Sequence, residues 1–208
     1  MENATLMDET LKRELSALYE AEDRHYHDLG HIEAMLALAN DYTALLHDPE
    51  AVEAAIWFHD AIYDSRAKDN EARSAALAEE KLAGRADAQR LGHIAAMITA
   101  TAGHELPPLG DQHSVRDAAL FLDIDLAILG AAPDVFDAYE QAVRREYKWV
   151  DEPMWRAGRA AVLEGFLARP HIFHSEEFRR RFETQARHNM ARSLRALGHS
   201  PRRSQPDA

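Results

Sequence analysis

Apolar residues recur at helical spacing along almost the whole chain. Leu11, Leu15 and Leu18 give the first stretch one apolar face, because side chains three or four positions apart lie on the same side of a helix. Glycine and proline end most other apolar stretches, and Asn70 and Ser114 stand where a helix would begin. Eight further helices are therefore predicted, over residues 32–46, 51–63, 70–82, 91–101, 114–129, 133–147, 154–167 and 175–197.

Strand signals are weak, with residues 26–29 and 172–173 the arguable stretches, and no repeat or linker divides the chain. A chain of 208 residues has the length of one domain and buries a core without disulfides. The sequence predicts an all-α, single-domain bundle of about eight or nine helices over residues 1–198. An unstructured tail is predicted over residues 199–208.

The composition excludes several kinds of site. Cysteine is absent, which rules out disulfides, thiolate zinc sites, iron–sulfur clusters and a cysteine nucleophile. Residues 1–9 have neither a basic start nor an apolar run, and no apolar stretch reaches 18 residues, so a cytoplasmic protein with no membrane segment is expected. The net charge of −12 argues against duplex nucleic acid as the main partner, because phosphates would be repelled. The 12 histidines are the unexplained residue class.

The most informative stretch is WFHDAIYD, at residues 57–64. On a helix His59 shares the inward face with Ala55 and Ile56, and Asp60 lies about 100° further around. A satisfied pair in the core is one interpretation of a His-Asp dipeptide. A functional site becomes the better interpretation when other polar residues point inward.

Two other segments place polar residues on an inward face. His31 begins a predicted helix whose inward face continues with apolar residues, and Asp125 lies in a segment that is apolar on every side. An unpaired carboxylate buried there would cost several kcal/mol. Imidazoles and carboxylates converging from separate helices are most simply explained by a bound cation. Asp123, in the same segment, faces another side.

The order of a histidine, a His-Asp pair and a later aspartate resembles the H…HD…D pattern of the HD-domain superfamily of metal-dependent phosphohydrolases. The surrounding sequence is similar to a bacterial branch of that superfamily. The resemblance is carried by RHYH at 24–27, AIWFHDAIYD at 55–64, DNEARSA at 69–75, FLDIDLAILG at 121–130, VRREY at 143–147 and GR at 158–159. It covers residues 20–195 and implies an HD-type helical fold. The metal ligands that it implies are His31, His59, Asp60 and Asp125.

The implied chemistry is metal-assisted hydrolysis of a phosphate ester. Asp60 is the expected link between cation and water, because one carboxylate oxygen can bind the metal while the other orients the water. Glu71 is a second candidate catalytic residue, with complementation of a helix dipole as its alternative role. His104 is a candidate ligand of a second metal, but the adjacent histidine pair typical of binuclear HD enzymes is missing, which favours one metal.

Substrate binding needs cationic and aromatic groups near the metal, and arginine suits phosphate because its planar fork binds two oxygens. The candidate substrate contacts are Arg24, His27, Tyr63, Arg145 and Tyr147, with Arg144 and Arg159 as further candidates. A solvated surface position is the alternative for each arginine. The arginine-rich C-terminal stretch is interpreted as a polar helix face, with an RNA-binding or partner-binding surface as the alternative.

Three functions remain open at this point. The first is a phosphohydrolase for a nucleotide or similar small phosphate ester, with a divalent ion (Mn, Mg, Co, Ni, Zn or Fe) as cofactor. The second is an HD-fold di-iron oxygenase, and the third is a non-catalytic module that binds nucleotides or acts as a scaffold. The sequence leaves the oligomeric state open, a homo-oligomer included.

Overall fold

The computed structural model describes residues 5–198, and all regular elements in this range are helical. The helices are α1 Glu9–Leu18, α2 Leu29–Asp41, α3 Pro49–Phe58, α4 Asn70–Leu82, α5 Ala88–Ala100, α6 Gln112–Leu126, α7 Pro133–Glu146, α8 Glu152–Leu167, α9 Glu176–Phe178 and α10 Thr184–Ala196. Short 3₁₀ turns occur at Thr43–Leu45 and Ala127–Gly130, and a π-helical turn at Arg179–Glu183 joins α9 to α10. The all-α prediction is confirmed. Residues 26–29 and 172–173 form no strand.

Between residues 5 and 198, no helix combines the length and the apolar character needed to cross a membrane.

The chain divides into two compact units, one ending at Asp125 and the other beginning at Leu126. The predicted single-domain organisation is not tested by this division and stays a prediction. The predicted tail, residues 199–208, lies outside the described residues.

Helix α3 is the central element of the first unit and packs against α1, α2, α4 and α5. The side chains of Ala54, Ile56 and Phe58 have no exposed surface. A helix that is apolar on most of its surface is stable only when neighbours cover those sides. Consequently, the polar residues that follow its C-terminal end are held inside the unit rather than at its surface.

Helix α3 ends at Phe58 instead of continuing to Tyr63 as predicted. The reason is that side chains distant in sequence bind the main chain beyond His59. Arg24 donates to the carbonyl oxygens of Asp60 and Ala61, and the Ser74 hydroxyl lies 3.3 Å from the carbonyl oxygen of Ile62. These tertiary hydrogen bonds replace the helical ones, so the chain turns directly after the histidine.

In the second unit, α10 packs against α8 and against the 3₁₀ turn Ala127–Gly130. The Asn189 amide donates hydrogen bonds of 2.9 Å to the carbonyl oxygens of Leu129 and Ala131. A β-carbon at Gly130 would lie 2.7 Å from Cβ of Phe182, so this close approach requires glycine. Glycine is thus what allows the turn and the π-helical segment to meet.

Candidate metal centre

Three ligand atoms from three segments converge within the first unit. His31 lies in the first turn of α2, His59 follows the end of α3, and Asp125 lies near the end of α6. Their ligand atoms are within 4.8 Å of one another. His31 and His59 are 8% and 1% exposed. Among residues 5–198, this is the group of histidine, aspartate and glutamate side chains placed closely enough to hold an ion.

Two of the three separations between these atoms match the dimensions of a metal site. His31 Nε2 lies 3.3 Å from His59 Nε2 and 3.2 Å from Asp125 Oδ1, and the remaining pair is 3.8 Å apart. Ligands bonded at about 2.1 Å to one cation are about 3.0–3.4 Å apart for octahedral or tetrahedral angles. The His59–Asp125 pair would subtend a wider angle at the cation, and the three atoms can still be bound by one divalent cation at a single position.

The hydrogen-bond partners of His59 also favour a cation at this position. His59 Nδ1 lies 2.9 Å from the carbonyl oxygen of Ile56, and this carbonyl oxygen can only accept, so Nδ1 carries a hydrogen. His59 Nε2 then directs a lone pair towards Asp60 Oδ2, 3.0 Å away, and Asp125 Oδ1. Without a proton or a cation, several buried acceptors would face one another, which is strongly unfavourable. The same Nδ1 contact fixes the ring in the orientation that a ligand requires.

A proton on His59 satisfies these acceptors when no metal is bound. Burial alone would lower the pKa of His59, but the negative charges of Asp60 and Asp125 outweigh burial and raise that pKa to about 9. Burial would raise the pKa of Asp60, but the neighbouring His59, His27 and His31 hold it well below its usual value. The pKa of Asp125 is lowered in the same way, against the effect of burial, by hydrogen bonds from His104 and His31. The pocket is therefore built to hold positive charge.

Asp60 lies in the turn after α3, and its main chain is fixed by Arg24. The Arg24 guanidinium donates hydrogen bonds of 2.8 Å to the carbonyl oxygens of His27 and Asp60, and one of 3.0 Å to that of Ala61. Arg24 was predicted as a substrate contact, a role that stays a prediction. The contacts in the structure give it a different task, which is to join the segment before α2 to the turn after α3.

Two more of the predicted substrate contacts lie beside Asp60. The His27 ring stacks on the Tyr63 ring at a centroid distance of 4.4 Å and an angle of 28°. The charge of His27 contributes to the lowered pKa of Asp60, which places the imidazole near this carboxylate. Both rings are half-buried. Each ring therefore covers a face of the other, and the pair lies next to the candidate metal position.

Glu71 lies half-buried in the first turn of α4. The preceding residue, Asn70, ties α4 to the turn after α3, because its side-chain amide exchanges two hydrogen bonds with the main chain of Asp64. This arrangement brings the start of α4 against the segment that carries the His-Asp pair. A catalytic role for Glu71 stays a prediction.

The other predicted substrate contacts belong to the second unit. Arg145 is exposed in the last turn of α7, and Tyr147 packs on Trp155 at a ring distance of 5.7 Å. Arg144 donates to the carbonyl oxygens of Tyr147 and Val150. These contacts give Arg144 a structural role, and substrate binding by Arg145 and Tyr147 stays a prediction.

The last of the phosphate-binding candidates is half-buried in the second unit. Arg159 forms an ion pair with Glu140 and donates to the hydroxyl of Tyr139 at 2.8 Å. Ser193 donates to the other oxygen of the same glutamate at 2.6 Å. A guanidinium held in this way is a packed structural group.

The sequence did not predict the contact that His104 makes. His104 was proposed as a ligand of a second metal, and in the structure its Nε2 lies 2.8 Å from Asp125 Oδ2. The sequence signal that could have indicated this contact is the end of α5 at Ala100, because the chain turns there and His104 follows within four residues. Another unpredicted residue is the buried Tyr19, whose hydroxyl donates to the carbonyl oxygen of Trp57 at 2.9 Å.

A cavity of about 370 Å³ lies elsewhere in the first unit, where the N-terminal ends of α3, α5 and α6 meet. Asp48, Asp87 and Asp111 line it, and their carboxylates accept hydrogen bonds from main-chain N–H groups of the adjoining helices. None of the residues predicted for the site lines this cavity. Its acids stabilise helix ends and do not extend the metal centre.

Comparisons of the chain with protein-family models, with curated proteins and with solved structures found no match.

Proposed function

We propose that this protein is a metal-dependent phosphohydrolase of the HD type that acts on a nucleotide or a similar small phosphate ester. The observation that carries the proposal is the convergence of His31, His59 and Asp125, with Asp60 beside them, in the order of the H…HD…D pattern. A core ion pair would need one histidine and one carboxylate. This group brings together two imidazoles and one carboxylate as donors, with a second carboxylate beside them, which suits a catalytic cation with open positions.

A divalent cation held by His31, His59 and Asp125 would supply an activated water and a positive charge for a phosphoryl oxygen. Asp60 is ionised at neutral pH, so it acts as an acceptor that orients the hydrogen of the attacking water. The His59 Nδ1 contact and the Arg24 contacts keep these groups in place without adjustment during the reaction. The stacked pair His27 and Tyr63, which is half-buried beside Asp60, would contact the organic part of a substrate.

The test combines metal analysis with turnover measurements. Purified protein is assayed for bound metal and then for hydrolysis of a phosphoester and nucleotide panel with Mn²⁺, Mg²⁺, Co²⁺, Ni²⁺, Zn²⁺ and Fe²⁺. We expect one metal per chain, and activity that Asp60→Asn abolishes while metal binding is largely retained. Protein that binds no divalent ion, or that is inactive with every ion and substrate, would contradict the proposal.

The same measurements separate the other functions. Two irons per chain and oxygen consumption would favour an oxygenase. Stabilisation by nucleotides without turnover in metal-loaded protein would favour a binding module. A cytoplasmic location stays a prediction from composition.

A further inference from the structure

The carboxylate of Asp125 has two different environments at its two oxygens. Oδ1 faces the imidazoles, at 3.2 Å from His31 Nε2 and 3.8 Å from His59 Nε2. Oδ2 faces His104 Nε2 at 2.8 Å. An ionised carboxylate only accepts hydrogen bonds, so the hydrogen of this contact belongs to His104 Nε2. The histidine therefore points its hydrogen, and not a lone pair, at the candidate ligand.

His104 reaches this position through an unusual backbone conformation. It has a φ of 50°, and it is the one non-glycine residue with positive φ in the described part of the chain. Its N–H donates to the carbonyl oxygen of Ala100 at 2.8 Å, which closes the end of α5 in the way that glycine commonly does. Glycine would take this conformation without strain, but glycine has no side chain to reach Asp125. His104 therefore both closes the end of α5 and places its imidazole against Asp125.

We propose that His104 is a positioning residue for metal binding, which holds Asp125 Oδ2 so that Oδ1 alone is presented to the cation. This inference rests on the proposed metal-dependent function and goes beyond it, because it gives a task to a residue outside the ligand group. Asp125 becomes a ligand through one oxygen, and further positions around the cation stay free for water and substrate. His104 keeps its hydrogen bond to Asp125 and does not itself bind metal.

A second residue pair provides a matched control. His93 in α5 contacts Ser114 in α6 through Nδ1 at 3.0 Å, so both His93 and His104 link the α5 region to α6 across 21 positions. Both imidazoles are half-buried. If His104 only held α5 against α6, replacing His93 would disturb metal binding in the same way.

The experiment measures Co²⁺ affinity and the visible spectrum of Co²⁺-loaded protein for the wild type, His104→Gly, His104→Gln and His93→Gln. Glycine removes the imidazole and suits the backbone, so folding is retained. Glutamine replaces Nε2–H with an amide donor of similar reach and is a poor metal ligand. Thermal unfolding of the metal-free variants confirms folding.

We expect His104→Gly to weaken Co²⁺ binding by about 10- to 100-fold, the range seen when groups that orient metal ligands are removed. Its visible absorption should fall in intensity, because a released Asp125 can bind through both oxygens and raise the coordination number. His104→Gln and His93→Gln should stay within about threefold of the wild type and keep its spectrum, since each retains the orientation of Asp125.

Three results would overturn the inference. If His104→Gln loses affinity as strongly as His104→Gly, then His104 binds the metal directly. If wild type binds Co²⁺ and His104→Gly binds it equally well with an unchanged spectrum, positioning by His104 is wrong while the proposed function stands. If wild type binds no divalent ion, the proposed function and this inference fail together.

Discussion

The Nε2 atoms of His31 and His59 face each other at 3.3 Å, although the two residues are 28 positions apart and belong to different helical segments. Two imidazole nitrogens at this distance share at most one proton. A cation bound by both would satisfy the two lone pairs together, and Asp125 Oδ1 would be its third ligand.

Replacing Asp125 should remove the cation, whereas replacing its neighbour Asp123 should not. Asp123 has no exposed surface, so alanine would leave a buried gap and confuse the comparison. Asparagine keeps the size of either side chain. Measured by titration calorimetry with Mn²⁺, Asp125→Asn should weaken binding by at least about 100-fold and Asp123→Asn by less than about threefold. Equal losses would mean that the wrong carboxylate has been assigned.

Metal binding at neutral pH should release a proton. The pKa of His59 in the metal-free protein is about 9, so His59 is protonated at pH 7, and the cation displaces that proton. Calorimetry in two buffers with different ionisation enthalpies should give about one proton released per cation. Release should decline towards zero near pH 10. Binding with no proton release at pH 7 would mean that His59 is not a ligand.

The stability of the metal-free protein should fall as the pH rises. The folded-state pKa of His59, about 9, lies above its unfolded value of 6.5, so the folded state binds the proton more tightly. Its contribution is fully present below pH 6.5 and is lost as the pH rises to about 9, and it amounts to roughly 3 kcal/mol. Urea unfolding in the presence of a chelator measures the change. His59→Gln should lack this slope, and a slope that it retains must come from other groups.

Arg24→Lys should weaken both stability and metal binding. Lysine cannot reproduce the three hydrogen bonds to the carbonyl oxygens of His27, Asp60 and Ala61, so we expect a loss of about 2–4 kcal/mol in the free energy of unfolding. Since the turn that carries Asp60 loses its anchor, metal affinity should fall as well. Urea unfolding and calorimetry measure the two effects.

Arg144→Lys is the matched control for this substitution. Arg144 also donates to two main-chain carbonyl oxygens and packs over an aromatic ring, with its guanidinium carbon 5.2 Å from the centre of Trp155. It should lose stability while its metal affinity stays unchanged. A metal affinity that is unchanged in Arg24→Lys as well would show that Arg24 does not support the site.

Helical periodicity predicts most of the fold because the signal is local. The stretches 70–82 and 154–167 were placed within about two residues of α4 and α8. The end of α3 was missed, because Arg24 and Ser74 determine it from 36 and 12 positions away. No pattern along the chain reports which distant side chain will reach a given carbonyl oxygen.

In the candidate site, too, some residues could be predicted from the local sequence and others depend on contacts between distant segments. His31, His59 and Asp125 could be selected from the sequence because each lies on an apolar helix face. Burying a polar residue there is unfavourable unless it has a partner. The contacts of Arg24 and His104 could not be predicted from the sequence, because each depends on the direction of a side chain after folding. Arg24 is a residue type that commonly binds phosphate, but in the structure its guanidinium binds main-chain carbonyl oxygens.

The position of His59 at the C-terminal end of α3 also has an electrostatic effect. The aligned peptide dipoles of a helix give its C-terminal end a partial negative charge, which attracts cations and repels anions. A bare phosphate ester would therefore meet an unfavourable field at this point. On the proposed function, phosphate binding would therefore depend on the metal, and the metal-free protein should hold phosphate weakly, most clearly above pH 9, where His59 is neutral.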